Sequence, residues 1–180
     1  MKKLVVLMFL ISSCVIAQQG IMKGSYTVGG NIAFSTRSYD GDSDNQTNFY
    51  FMPNVGYFFI DQFYTGLQLQ YIHQSVGDYS ANSYGIGPEV RYYFIVDKIN
   101  PFLGLRYTYN KGTTSDGDIE ITNTEFTVSG GVDYFVTDFF ALEASLNYSL
   151  LYFKATFNNN TGDQDATEFN INIGAKYFIY

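Results

Sequence analysis

From Gly24 to Tyr180 the chain repeats one pattern about eight times: some ten residues alternating apolar with small or polar, then a break. A hydrophobic period of two places one face of each segment in an apolar medium and the other elsewhere, which marks strands and not helices. The expected strands run over about 24–37, 48–59, 64–75, 84–94, 101–109, 124–135, 141–152 and 167–180. Apolar positions share one parity, as in Val28, Ile32 and Phe34 of the first strand or Leu142, Leu146, Tyr148 and Leu150 of the seventh. The partner parity carries Gly, Ser, Thr, Asn, Gln and charge, as in Gly104, Arg106 and Thr108. Pro53 falls inside the second strand, where it cannot donate to the ladder; a bulge or a locally missing bond is expected there.

Tilted strands of about 9–11 residues are long enough to cross a bilayer. An even count lets an antiparallel sheet close with both termini on one side. The pattern therefore predicts an all-β fold: an eight-stranded antiparallel up-and-down transmembrane β-barrel. A lipocalin-like barrel would reverse the parity, with rings inside and polar groups out. Here the polar face would fill a narrow lumen but would make an odd exposed surface. The breaks also alternate, short near 60–63, 95–100 and 136–140, long at Ser38–Thr47, Val76–Ser83, Asn110–Asn123 and Lys154–Ala166. Short turns belong on the periplasmic side and long loops outside, so both termini are expected to be periplasmic.

Aromatic residues make up 19% of the chain, as 17 Tyr and 17 Phe. They concentrate on the apolar parity and near strand ends, as interfacial girdles do. Residues 1–17 read as a signal peptide: Lys2 and Lys3, an apolar run from Leu4 to Ile11, and Ala17 at the cleavage point. The barrel domain is then 18–180. Ile11-Ser12-Ser13-Cys14 resembles a lipobox, but Val15-Ile16-Ala17-Gln18 continues as an ordinary signal end. Cys14 is the single cysteine, so the mature chain is expected to have no disulfide framework. Removing Lys2 and Lys3 leaves eight of the ten basic residues against 17 acidic ones, a net charge near −9. That charge argues against nucleic acid as a partner.

Parity sends Glu89, Arg91, Arg106, Asp133, Glu143 and Lys176 into the lumen, three charges of each sign. Centring the fourth turn near Asp97-Lys98 puts Glu89 opposite Arg106. Buried charges are tolerable when paired and hydrogen-bonded, and a lumen of eight strands holds little beyond its own side chains. The expected lumenal charge network is a structural plug or, alternatively, a gate for small ions.

The long breaks carry Asp40, Asp42, Asp44, Asp78, Asp116, Asp118, Glu120, Asp163 and Asp165 against Lys111 and Lys154. Asp40-x-Asp42-x-Asp44 has calcium-loop spacing, but an EF-hand needs Glu at the twelfth position, which is Phe51. Solvated acidic loops are expected rather than a metal site. His73 and Ser75 share the lipid-facing parity, with no carboxylate nearby on that face to orient the histidine as triad chemistry requires. No catalytic residue, cofactor or metal site is expected.

One stretch is more specific. Phe51-Met52-Pro53-Asn54-Val55-Gly56-Tyr57-Phe58-Phe59-Ile60-Asp61 resembles the small outer-membrane barrel-domain family, akin to the OmpA membrane domain and OmpX. Gly87-Pro88-Glu89-Val90-Arg91-Tyr92-Tyr93-Phe94 repeats the motif loosely, and the C-terminal Gly174-Ala175-Lys176-Tyr177-Phe178-Ile179-Tyr180 is similar to the assembly signal of such barrels. The resemblance implies a Gram-negative outer membrane and insertion by the barrel-assembly machinery. Outer-membrane lipid and lipopolysaccharide are the implied surroundings. It implies no single activity, since function resides in sites grafted on a fold. The expected function is non-enzymatic: a structural, adhesion or surface-interaction role through four acidic loops, with an external ligand or protein as partner. A narrow pore for ions or very small solutes is the alternative, and a lipid-A-modifying hydrolase the second.

Overall fold

The computed structural model describes residues 21–37, 46–76, 79–114, 120–157 and 160–180. It forms β1 (Tyr26–Arg37), β2 (Gln46–Ile60), β3 (Phe63–Val76), β4 (Tyr79–Tyr93), β5 (Ile99–Thr114), β6 (Glu120–Thr137), β7 (Phe140–Phe157) and β8 (Asn160–Ile179). Each strand pairs antiparallel with its chain neighbour, and β8 returns to β1, from Tyr26 opposite Ile179 to Ala33 opposite Asn172. The eight-stranded up-and-down barrel read from the alternation is the observed fold.

The start of β1 and the end of β8 lie at one end, the terminal rim, with the turns at Asp61-Gln62, 94–98 and Asp138-Phe139. The other end is called the far rim. There the strands outrun the sequence reading. β3 reaches Val76 and β4 starts at Tyr79, while β7 reaches Phe157 and β8 starts at Asn160. Three of the four breaks read as long acidic loops are therefore largely ladder. Lys111, Glu120, Lys154, Asp163 and Asp165 are strand residues. The reason is that backbone groups must pair wherever strands run side by side, whether or not one face is apolar. Apolar alternation reports only the lipid-bathed length of a strand. The expected signal peptide with Cys14, and Asp40, Asp42, Asp44, Asp78, Asp116 and Asp118, lie outside the described residues.

Pro53 produces an interruption and no bulge. The β2–β3 ladder runs to Phe51 opposite Tyr71 and resumes at Asn54 opposite Gln68 in the same register. Pro88 does likewise between Ile86 opposite Tyr109 and Glu89 opposite Arg106. Register shifts occur instead between Phe58 and Ile60 and between Phe135 and Thr137, where strands enter short turns.

Burial is inverted relative to a water-soluble domain. Buried polar side chains outnumber buried apolar ones among the described residues, while Phe34, Leu103, Tyr107, Phe169 and Ile173 point outward and exposed. Lipid takes the place of a core for that outer face. The larger apolar cluster is a plug at the terminal rim: Ile21, Phe58, Tyr64, Tyr93, Phe102, Phe135, Ala141 and Phe178; a smaller one, Ala33, Tyr50 and Met52, lies inside β1 and β2. Ile21 precedes β1 and folds into the mouth, its carbonyl accepting from the Gln62 amide at 3.3 Å. The C-terminal motif is thus divided, with Lys176 and Phe178 inward, Tyr177 and Ile179 outward, and the Tyr180 hydroxyl donating to the Asp138 carbonyl.

Candidate functional site

The site grows from the aromatic plug. Gly56 and Gly66 face each other across β2 and β3, and the Tyr64 ring lies over both. A Cβ on Gly56 would come within 2.1 Å of that ring. The same rule holds around the barrel. Phe102 is the register partner of Gly131, Arg91 of Gly104, and Lys176 of Gly29. Each large inward side chain leans into the space that a glycine leaves on the next strand, as a narrow lumen demands.

Above the rings lies the first group of charges. Arg91 Nη1 donates to Glu143 Oε2 at 2.6 Å, and its Nη2 to Glu89 Oε2 at 3.2 Å. Lys176 Nζ donates to Glu143 Oε2 at 2.8 Å, to Tyr93 Oη at 2.9 Å and to Asp133 Oδ2 at 3.3 Å. Tyr93 in turn donates to Asp133 Oδ2 at 3.1 Å, and Asn31 Nδ2 to Glu143 Oε1 at 2.6 Å. Glu143 is the hub, since both cations and one amide converge on it. The cations also stack on the plug: Arg91 lies 4.5 Å from the Phe102 ring centroid and Lys176 5.6 Å from that of Tyr93. Such contacts are strongest where water is excluded, and none of these five charged residues is more than 4% exposed.

Arg106 belongs to a second group. It is the register partner of Glu89, yet its Nη2 lies 3.6 Å from Glu125 Oε1. Nη2 also donates to Thr127 Oγ1 and Nη1 to Gln68 Oε1, each at 3.2 Å. Glu125 Oε1 accepts from Ser149 at 2.7 Å and Thr127 at 2.8 Å, and Oε2 from Gln70 at 3.4 Å. Facing positions on adjacent strands therefore did not choose each other. Glu89 turns toward Arg91 two residues along its own strand, and Arg106 turns toward β6. Glu125 lies outside the six lumenal charges expected from the sequence, although it shares their inward parity. Counting every charge on the inward parity would have found it. With it and Glu168, whose Oε1 accepts from the Tyr50 hydroxyl at 2.7 Å, the described lumen holds five carboxylates and three cations. Glu89 Oε1 and Asp133 Oδ1 are buried and accept no hydrogen bond.

His73 lies on the outer wall, as its parity requires. Its Nδ1 is 2.8 Å from Asn82 Oδ1, which also accepts from the Tyr71 hydroxyl at 2.9 Å. Among the described residues it is an amide that meets this ring. Among the described residues no group of three or more His, Cys, Asp or Glu is placed to hold a metal ion.

Residues 5–178 match the family model described as the outer membrane protein beta-barrel domain. No curated protein matches the chain. Among solved structures it is similar to Neisserial surface protein A, with a TM-score of 0.67, 19% identity, and coverage of 86% of this chain and 97% of that one. It is also similar to OprG from Pseudomonas aeruginosa, with a TM-score of 0.62, 16% identity, and coverage of 90% and 99%. Outer Membrane Protein W of E. coli follows with a TM-score of 0.58, 12% identity, and coverage of 88% and 99%. At these identities the likeness concerns the fold. The chain belongs to the outer-membrane β-barrel domain family and is an integral protein of that membrane.

Proposed function

We propose that this outer-membrane barrel is a non-enzymatic scaffold whose lumen is sealed and whose far rim meets the outside. The observation that carries this reading is the burial and mutual pairing of Glu89, Arg91, Asp133, Glu143 and Lys176 inside the barrel, next to a cluster of eight buried apolar residues. Ions would have to break several buried charge pairs to pass. The terminal rim, with its short turns, faces the periplasm, and the far rim faces outward. The role is structural or a surface interaction, with adhesion or an external ligand or protein as the partner class, after insertion by the barrel-assembly machinery.

A narrow pore is the second reading, favoured by one observation. The described lumen carries more carboxylates than cations, and Glu89 Oε1 and Asp133 Oδ1 lack donors, an arrangement in which a displaced pair could accept a passing cation. Planar-bilayer recording of the refolded mature chain separates the two, with Glu89→Ala and Arg106→Ala alongside. A wild-type barrel that is silent although its heat-dependent gel shift shows it folded supports the sealed scaffold. Reproducible small openings that change with either substitution would overturn it in favour of the pore.

A further inference from the structure

We infer that the far-rim length of β8, from Asn160 to Glu168, is a docking edge for an extended, cationic polypeptide segment that adds a strand to the β5–β8 wall. The inference rests on the outward far rim proposed above and names the class of partner that this rim takes. β1 and β8 pair from Tyr26 opposite Ile179 to Ala33 opposite Asn172, and among the described residues they pair no further. Yet β1 runs on to Arg37, and β8 reaches back to Asn160. Over that length β1 stays with β2, from Phe34 opposite Phe49 to Arg37 opposite Gln46. β8 stays with β7, from Ile171 opposite Leu146 to Asn160 opposite Phe157. The wall is therefore split between β1 and β8 toward the far rim, and β8 presents one side of its backbone there as an edge.

Side chains bridge the split from within and leave it open from without. Tyr50 of β2 lies against the small Ala33 of β1 and donates across it to Glu168 Oε1 at 2.7 Å. On the outer face Phe34 of β1 and Phe169 of β8 flank the split at 67% and 61% exposure, among the highest of the described apolar residues. The edge is thus reached from outside the barrel and not through the lumen. From Asn160 to Glu168 the strand reads Asn-Thr-Gly-Asp-Gln-Asp-Ala-Thr-Glu, with no large apolar residue, which places it in water beyond the lipid band.

Backbone and charge together define the occupant. Along a strand edge N–H donors and C=O acceptors recur at a fixed spacing, and the ligand that carries the complementary repeat is another extended backbone. Charge then selects among strands. Asp163, Asp165 and Glu168 occupy positions along this edge, no basic residue does, and Asp165 is exposed. Like charges set opposite each other destabilise a strand pair. That disfavours a second copy of the same edge, in the way charged edges guard against self-association. A segment with Lys or Arg at alternate positions gains cross-strand pairs instead. The rival account is internal: the β1–β8 register, continued, would set Arg37 opposite Glu168 and consume part of the edge within the chain.

Residue-resolved amide hydrogen exchange of the refolded barrel in micelles tests the edge, with a peptide of the same length that alternates lysine and threonine as the probe. In the free barrel the amides between Asn160 and Glu168 that do not face β7 should exchange fast, and saturating peptide should slow them by about tenfold or more. The same peptide with its backbone amides N-methylated keeps the charge, loses the donors and should protect nothing. A glutamate–threonine peptide should bind about tenfold more weakly, and Asp165→Lys should weaken the lysine peptide similarly while its heat-dependent gel shift stays as in wild type. Slow exchange along the edge in the free barrel would show that the chain already covers it and would overturn the inference. Equal protection by the N-methylated peptide, or protection confined to other strands, would overturn it too. The orientation is read separately. An Asp165→Cys variant labelled on intact cells by an impermeant maleimide supports the outward far rim, whereas absence of labelling overturns that orientation and leaves the micelle result standing.

Discussion

The two halves of the lumen are filled by different physics. Toward the terminal rim, rings and full charges interlock: Tyr64, Phe102 and Tyr93 beneath Arg91 and Lys176, all centred on Glu143. Toward the far rim, hydroxyls and amides surround Arg106 and Glu125, and neutral pairs take over, such as Asn110 donating to Asn123 at 2.7 Å. The first arrangement concentrates its stability in a few groups, because removing one partner strands a buried charge. The second spreads it over many bonds, each of modest net worth. A closed barrel tolerates both, since the pairing of its backbone does not depend on what fills it.

Glu143→Ala should break this contrast most visibly. It leaves Arg91 with only Glu89, and Lys176 with only Asp133 and Tyr93. A loss of about 3–5 kcal/mol is expected, read as a fall in the urea midpoint of the refolded barrel by its gel shift. A midpoint at the wild-type value would remove Glu143 from the centre of the plug.

Adjacent glycines sharpen the same comparison by steric means. A Cβ on Gly131 would meet Ala144 O at 2.6 Å and Phe102 Cζ at 2.7 Å, whereas one on Gly130 meets only Leu103 Cδ2 at 3.6 Å. Gly131→Val should cost about 1–3 kcal/mol through overpacking, and Gly130→Val far less. Equal unfolding midpoints for the two variants would mean that the rings do not need the glycine gaps.

The smallest effect belongs to the far half. Ser149→Ala removes one of three donors to Glu125, leaving Thr127 and Gln70. About 1 kcal/mol is expected from the same unfolding measurement. A loss as large as that of Glu143→Ala would show that Glu125 is also a hub and that the halves are alike.

Sequence by itself determined what alternation can encode. Tyr26 and Val28 go outward and Thr27 and Asn31 inward because successive side chains point to opposite faces of a strand, a property of the backbone alone. Eight such segments, with every described lumenal charge already on the inward parity, follow from the same rule. The ends of the strands were not legible at the far rim, because Glu120 or Asp163 can join a ladder without any apolar neighbour to announce it. Closure alone decided the partners. Arg91 on β4 reaches Glu143 on β7, and Lys176 on β8 reaches Tyr93 on β4, across the lumen and far apart in the chain. Register put Arg106 opposite Glu89, yet long side chains in a narrow tube choose acceptors by reach in three dimensions, so Arg106 found Glu125. The split between β1 and β8 has the same origin: how far the first and last strands stay paired is settled only when the sheet closes on itself.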